Sequence, residues 1–246
     1  MTTCNGVVLY DGPSVLDGAP IVVIATGLVN ASENPKTGAM VQVWILRSDV
    51  HPAVAKRTGE DSSICGDCVH RPYVDSSGWH DGTCYVSMNG PSSVYRQYRA
   101  GKYGRVVPSE AREILAGRQV RLGAYGDPGA VPFDVLARCM ELAHPKSTGY
   151  THAWRRIDPR WAGLVMASCD SIDDYRAARL SGYRAFLVVP QGTGTVPGLI
   201  PCVETVTGRQ CVDCGACNGT SRGERPNAVS VFIRAHGTQG ARFVGA

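Results

Sequence analysis

The chain has 246 residues, of which 43% are hydrophobic and 19% charged, and it carries a net charge of +4. That size buries roughly 70–75% of the unfolded surface, so a core forms without covalent help, and the composition excludes a disordered chain. The longest apolar stretch, Ala19–Val29, is about half of the ~20 residues a membrane helix needs.

No basic start followed by an apolar stretch follows Met1, so no secretory signal is expected and the expected location is the cytoplasm. The basic residues are nearly all Arg, apart from Lys36, Lys56, Lys102 and Lys146. Arg grips phosphate and carboxylate bidentately, but a GC-rich genome yields the same bias. Charge alone therefore assigns no partner.

In chain order, Val7–Tyr10 and Ile21–Ile24 read as a strand pair that covers the bottom or edge of a sheet. Met40–Leu46 is a clear strand. Residues 47–90 form a polar stretch too long for an ordinary connection, which points to function or to ordering by a ligand. Pro91–Arg99 reads as a helix with Pro near its start. An alternation then sets in: helix Glu110–Ala116, strand Gln119–Tyr125, helix Val131–Ala143, strand Gly149–Trp154, strand Leu164–Ser168 and helix Ile172–Leu180. Strands at Tyr183–Val189, Leu199–Val203 and Ala228–Arg234 complete it.

Strands alternating with helices predict right-handed βαβ units and a parallel sheet of six or seven strands. The expected fold class is α/β, a full or partial (β/α) barrel-like parallel sheet with a long Cys-containing loop and a small C-terminal Cys-rich segment. An open doubly wound sheet is second. Residues 1–200 would form the barrel-like domain, and 201–246 a Cys-rich loop and final strand packed on it. Neither G-x-G-x-x-G after a strand nor G-x4-G-K-[ST] occurs, so the two common nucleotide loops are missing.

Ten cysteines carry the strongest signal. In a reducing compartment, clustered cysteines point to metal or catalysis rather than disulfides. Cys65 and Cys68 form a C-x2-C pair, with Cys84 beyond a spacer of 15 residues. Cys211, Cys214 and Cys217 form C-x2-C-x2-C, with Cys202 upstream. A two-residue spacer lets a tight turn aim two thiolates at one small ion or cluster. Cys139 and Cys169 sit in apolar segments and read as core residues. The fourth ligand of the first set is open: His70, His80, a C-terminal cysteine or a substrate. Three cysteines with an open position suit a catalytic [4Fe–4S] cluster, which is favoured, and zinc is the alternative.

In parallel barrels the reactive residues lie at the C-terminal ends of strands. Asp127, His152, Asp170 with Ser171, and His236 all fall there, as do Cys65 and Cys68 on the loop after the strand at 40–46. All are expected on one rim. Asp127, His152 and Asp170 are the candidate catalytic residues. Their plainer readings are a turn starter, a core histidine and a helix cap.

The stretches Lys36–Leu46, Ile64–Arg71, Thr83–Val86, Arg121–Pro128, Gly149–His152 and Met166–Ser171 resemble a family of uncharacterised cysteine-rich proteins carried by bacteriophages and other mobile elements. The resemblance runs from about residue 10 to the end and would imply the host cytoplasm. In layout the chain also resembles radical S-adenosylmethionine enzymes, which place three cluster cysteines after the first barrel strand and a cofactor-binding motif after the second. Cys65, Cys68 and Cys84 match the first, although that family has C-x3-C-x2-C. Tyr125-Gly126-Asp127 resembles the second, which implies S-adenosylmethionine as a cofactor. The C-terminal knot would resemble an auxiliary cluster site.

The leading expectation is an iron–sulfur enzyme acting on a small molecule or nucleotide. The alternative is a zinc-binding nucleic-acid-binding protein acting in replication, supported by the aromatic-basic run Tyr95–Arg99 with Lys102 and Tyr103. A third reading is a non-catalytic protein stapled by metal. No membrane partner is expected, and the oligomeric state is not legible.

Overall fold

The computed structural model describes residues 4–219, 229–237 and 240–245. The chain opens with strands β1 (Gly6–Pro13), β2 (Pro20–Thr26) and β3 (Val41–Arg47). The stretch expected as one long loop is partly regular. It holds helices α1 (Pro52–Thr58) and α2 (Ser62–Cys65) and a small hairpin, β4 (Tyr73–Asp75) with β5 (Gly78–His80).

Helix α3 (Asn89–Arg99) begins two residues before the expected start, and Pro91 lies in its first turn, where no N–H is missed. Strand β6 (Gly104–Arg105), helix α4 (Pro108–Ile114), strand β7 (Val120–Tyr125) and helix α5 (Phe133–Met140) follow. Next come β8 (Thr148–Thr151), β9 (Met166–Cys169), α6 (Ile172–Leu180) and β10 (Ala185–Val189). The chain ends with β11 (Leu199–Pro201), the short helices α7 (Val203–Thr207) and α8 (Cys211–Cys214), and β12 (Ser230–Arg234). The expected start of that last strand, Ala228, lies outside the described residues.

Ten strands form one sheet in the order β11-β12-β10-β9-β8-β7-β3-β2-β1-β6. From β3 to β11 every neighbouring pair is parallel. The expected strand pair extends the edge: β2 runs antiparallel to both β3 and β1. Among the described residues no pairing joins the edge strands β6 and β11.

The apolar residues explain the layering. Ile21 to Ala25 of β2 are all buried, so both faces of that strand are covered, as a near-continuous apolar run requires. Helix α6 packs on β9 and β10, while α1 and α3 pack on β3. Cys139 and Cys169 are buried in the main core, as expected. Between Gln42 and Trp44 of β3 the partner strand advances from Arg121 to Tyr125, so β7 bulges. Gly123 sits at the bulge with φ +74°, and a Cβ there would meet the Gly126 carbonyl oxygen at 2.7 Å. No helix among the described residues is long and apolar enough to cross a membrane.

Candidate functional site

The first cysteine set is built by the segment between β3 and α3. Cys65 closes α2, and the Cys68 N–H donates to the Cys65 carbonyl at 3.3 Å, which turns both residues toward one side. Arg71 ties the turn down: its guanidinium donates to Asp61 Oδ1 at 2.6 Å and to the Gly59 and Gly66 carbonyls at 2.8 Å. Cys84 returns to the same place because the Thr83 and Cys84 N–H groups both donate to the His70 carbonyl, at 3.1 and 2.9 Å.

The 15-residue spacer is therefore an excursion whose tip is the β4–β5 hairpin. Gly82 permits the return. Its φ is +69°, and a Cβ would lie 2.4 Å from the His70 carbonyl oxygen. His80 takes no part: it is held in the hairpin by Asp75 at 3.0 Å.

Around these cysteines stand the loops that follow the parallel strands. The Asp127 N–H donates to the Ile64 carbonyl at 2.6 Å, which joins the loop after β7 to α2. The Asp127 carboxylate is buried, and both its oxygens accept backbone N–H groups, from Gly129 at 2.8 Å and His152 at 2.7 Å. Asp127 thus positions the turn that carries His152, and its plainer reading as a turn residue fits what its oxygens bind. Burial pushes its carboxyl up, against those hydrogen bonds.

Asp170 is freed for the site because Ser171, not Asp170, caps α6, with its Oγ accepting from the Asp174 N–H at 3.0 Å. The Asp170 carboxylate lies between two imidazoles. Oδ1 is 2.8 Å from His70 Nε2, and Oδ2 is 3.4 Å from His152 Nε2. The second contact is an ion-pair distance without hydrogen-bond alignment, which leaves His152 Nε2 buried without an aligned partner. His70 Nδ1 meets Thr83 Oγ1 at 2.6 Å, and the rings of His70 and Phe243 lie 5.1 Å apart.

Burial opposes charge at both Asp170 and His152, but proximity wins. The two imidazoles hold the Asp170 carboxyl well below its ordinary value. The neighbouring Cys68 sulfur and Asp170 hold His152 well above its own. His70, His152 and Asp170 bring three ligand atoms within 4.8 Å of one another, a set that can hold a proton or a metal ion. His70 entered the sequence reading only as an alternative ligand. Its signal was the two-residue step from Cys68.

The second set is built differently. Cys202 precedes α7, and Cys211 and Cys214 bound the single turn of α8. That turn ends at Gly215, with φ +61°, packed so tightly on Lys146 that a Cβ would lie 2.5 Å from its side chain. The Cys211 N–H donates to the Lys36 carbonyl at 2.8 Å, Gln119 Nε2 to the Val212 carbonyl at 2.6 Å, and the Gly149 N–H to the Cys217 carbonyl at 3.3 Å. Lys36, Gln119 and Gly149 lie before or at the starts of β3, β7 and β8. All four cysteines, with Thr148 and Tyr150, line one small cavity of about 20 Å³. Burial pushes the Cys217 thiol up to about 12 and also raises Cys211, which Arg121 partly opposes.

The seven grouped cysteines, expected to meet at one mouth of the sheet, are divided between its two ends. Cys65, Cys68 and Cys84 stand at the C-terminal ends of the parallel strands with Asp127, His152 and Asp170. The second knot docks against the strands' N-terminal ends. Along β8 the two levels, Thr148 and His152, are roughly 13 Å apart at ~3.3 Å per residue.

A cavity of about 520 Å³ connects them. Cys65, Cys68 and Cys84 line it, as do Cys202 and Cys211. Tyr125, Gly126, Asp127 and His152 form part of its wall, and His236 also faces it. Sequence reading missed Arg121, Tyr85, Tyr150 and Gln42, which line its middle. The available signal was a charged residue inside an apolar strand, Val120–Tyr125.

No disulfide joins any two of the ten cysteines. In the aromatic-basic run Tyr95 is buried with Arg99 over its ring, the Tyr98 hydroxyl donates to Asp11 at 2.9 Å, and Arg96, Arg99 and Lys102 are exposed. No family model, curated protein or solved structure matches the chain.

Proposed function

We propose that the protein is an iron–sulfur enzyme whose reaction takes place in the cavity between two cysteine centres, on a sheet curled as a partial barrel. The observation that carries this reading is that both cysteine sets line one cavity. The curl is supported by the same lining. Trp44 of β3 and Ile233 of β12 face one space, yet in a flat sheet strands five places apart stand roughly 24 Å from each other.

Donor chemistry favours a cluster over a single zinc ion. Four sulfurs on tetrahedral zinc lie only about 3.8 Å apart, from bonds of about 2.3 Å. Among the described residues neither cysteine set brings three ligand atoms within 4.8 Å. In a cluster each cysteine binds a different iron, so the sulfurs stand further apart. Burial and mutual repulsion push the Cys65 and Cys84 thiols up, so a cation must compensate before they ionise.

Cys202, Cys211, Cys214 and Cys217 would hold a fully ligated centre. Cys65, Cys68 and Cys84 would hold one that leaves a position open to the cavity. Such centres supply one-electron chemistry when bound. If the layout resemblance to radical S-adenosylmethionine enzymes extends to cofactor use, Tyr125, Gly126 and Asp127 are the wall against which that cofactor lies. Asp127 fixes the His152 backbone, and Cys68 and Asp170 both favour the charged form of its imidazole. His152 is thereby placed to give a proton into the cavity.

Anaerobic purification with iron, acid-labile sulfide and zinc analysis tests the reading. Brown protein containing iron and sulfide in similar amounts, and bleached by air, is the expected result. Colourless protein with stoichiometric zinc overturns it. That outcome would favour the alternative, a zinc-binding nucleic-acid-binding protein.

A further inference from the structure

The cavity between the two cysteine sets contains an arginine that makes no ion pair with a described carboxylate. Arg121 projects from β7 into its wall. Its Nη2 donates to the Tyr85 hydroxyl at 3.2 Å, and its guanidinium carbon lies 5.7 Å from the centroid of the Tyr150 ring. Among the described residues no carboxylate comes within 4.0 Å of its nitrogens.

Other buried or half-buried arginines are engaged, Arg184 by the Ala216 and Val229 carbonyls at 2.8 and 3.0 Å. Arg71 pairs with Asp61 at 2.6 Å, and Arg47 with Asp49 at 2.9 Å. The acids that share the cavity are engaged elsewhere: Glu204 lies 3.8 Å from Lys36 Nζ, and Asp127 accepts backbone N–H groups. A guanidinium turned into a chamber presents a fork of donors matched to a carboxylate.

The surroundings set the rest of the ligand. Tyr150 and Phe186 stand with ring centroids 4.4 Å apart, and Trp44 and Val188 also face the chamber. Its volume of about 520 Å³ falls within the range of about 300–1,000 Å³ usual for small-molecule sites.

We infer that the chamber binds a small organic carboxylate with a flat apolar body, anchored by Arg121 and packed against Tyr150 and Phe186. Calling that molecule the substrate rests on the proposed function. The binding itself does not.

Benzoate is the probe, and benzamide is its uncharged counterpart. Calorimetric titration of anaerobically purified full-length protein is expected to show benzoate binding, with benzamide at least about tenfold weaker, as loss of a charge-assisted pair implies. Arg121→Gln removes the preference. Val188→Phe narrows the chamber, leaves Arg121 in place, and weakens binding of both probes alike.

Equal affinity for the two probes, no binding of either, or undiminished benzoate binding by R121Q overturns the inference. So does an R121Q protein that loses iron and sulfide while its remaining holoprotein binds benzoate normally, since Arg121 would then only balance thiolate charge near Cys211. Benzoate binding by protein that lacks iron and sulfide keeps the inference and overturns the proposed function. Iron and sulfide without benzoate binding does the reverse.

Discussion

The two cysteine knots differ in the space their sulfurs line. In the C-terminal knot four sulfurs line a cavity of about 20 Å³, and two backbone hydrogen bonds and one from the Gln119 side-chain amide tie the knot to the starts of β3, β7 and β8. In the N-terminal knot three sulfurs face a far larger chamber beside two histidines and an aspartate. The smaller space suits a centre that holds the fold, and the larger chamber, which Cys202 and Cys211 also line, suits one that reacts.

The largest expected effects break or confirm that contrast. Cys214→Ser should lower unfolding free energy by about 3 kcal/mol or more, because ligand binding and folding are one equilibrium there. Cys65→Ser should cost about 1 kcal/mol while removing the iron of its own centre. Anaerobic urea titrations of both variants, with iron analysis, check this. A reversed order of stabilities would mean that the N-terminal knot is the structural one.

A smaller effect separates positioning from reaction within the open centre. Asp127→Asn leaves one of two buried backbone donors without its acceptor, at a cost of about 1–3 kcal/mol. Asp170→Asn should cost about 1–2 kcal/mol at neutral pH, by weakening the charge-assisted contact to His70.

The pH dependence of Asp170 has a defined sign. Its folded value is depressed below the ordinary 3.8. The carboxylate therefore contributes fully above that value, and its contribution fades as the pH falls through the folded value. Wild-type and D170N unfolding free energies should converge in acid. A gap that stays constant would show that Asp170 is not held by the imidazoles.

The same contrast explains what could be read from the sequence. The parallel strands were legible because their apolar runs are short and bounded by turns, and the seven grouped cysteines because their spacing is compact. The end of the sheet reached by the second knot was not legible. That depends on Lys36, Gln119 and Gly149, whose backbone or amide contacts leave no pattern in the chain. Arg121 escaped notice because only its placement in the wall of a chamber, with no described carboxylate within 4.0 Å, marks it out.

The smallest expected effect concerns the spacer itself. Cys84 is returned to Cys65 and Cys68 by two N–H donors on the His70 carbonyl, not by the hairpin beyond them. Hairpin residues Tyr73, Val74 and Trp79 are exposed, so little apolar burial depends on them. Replacing Tyr73–His80 by a short glycine turn should change stability by less than about 1 kcal/mol, since loop-closure entropy varies only slowly with length. Iron content should be unchanged. Loss of iron from that variant, with Cys214 chemistry intact, would show that the excursion shapes the open centre and that the 15-residue spacing is part of the ligand design.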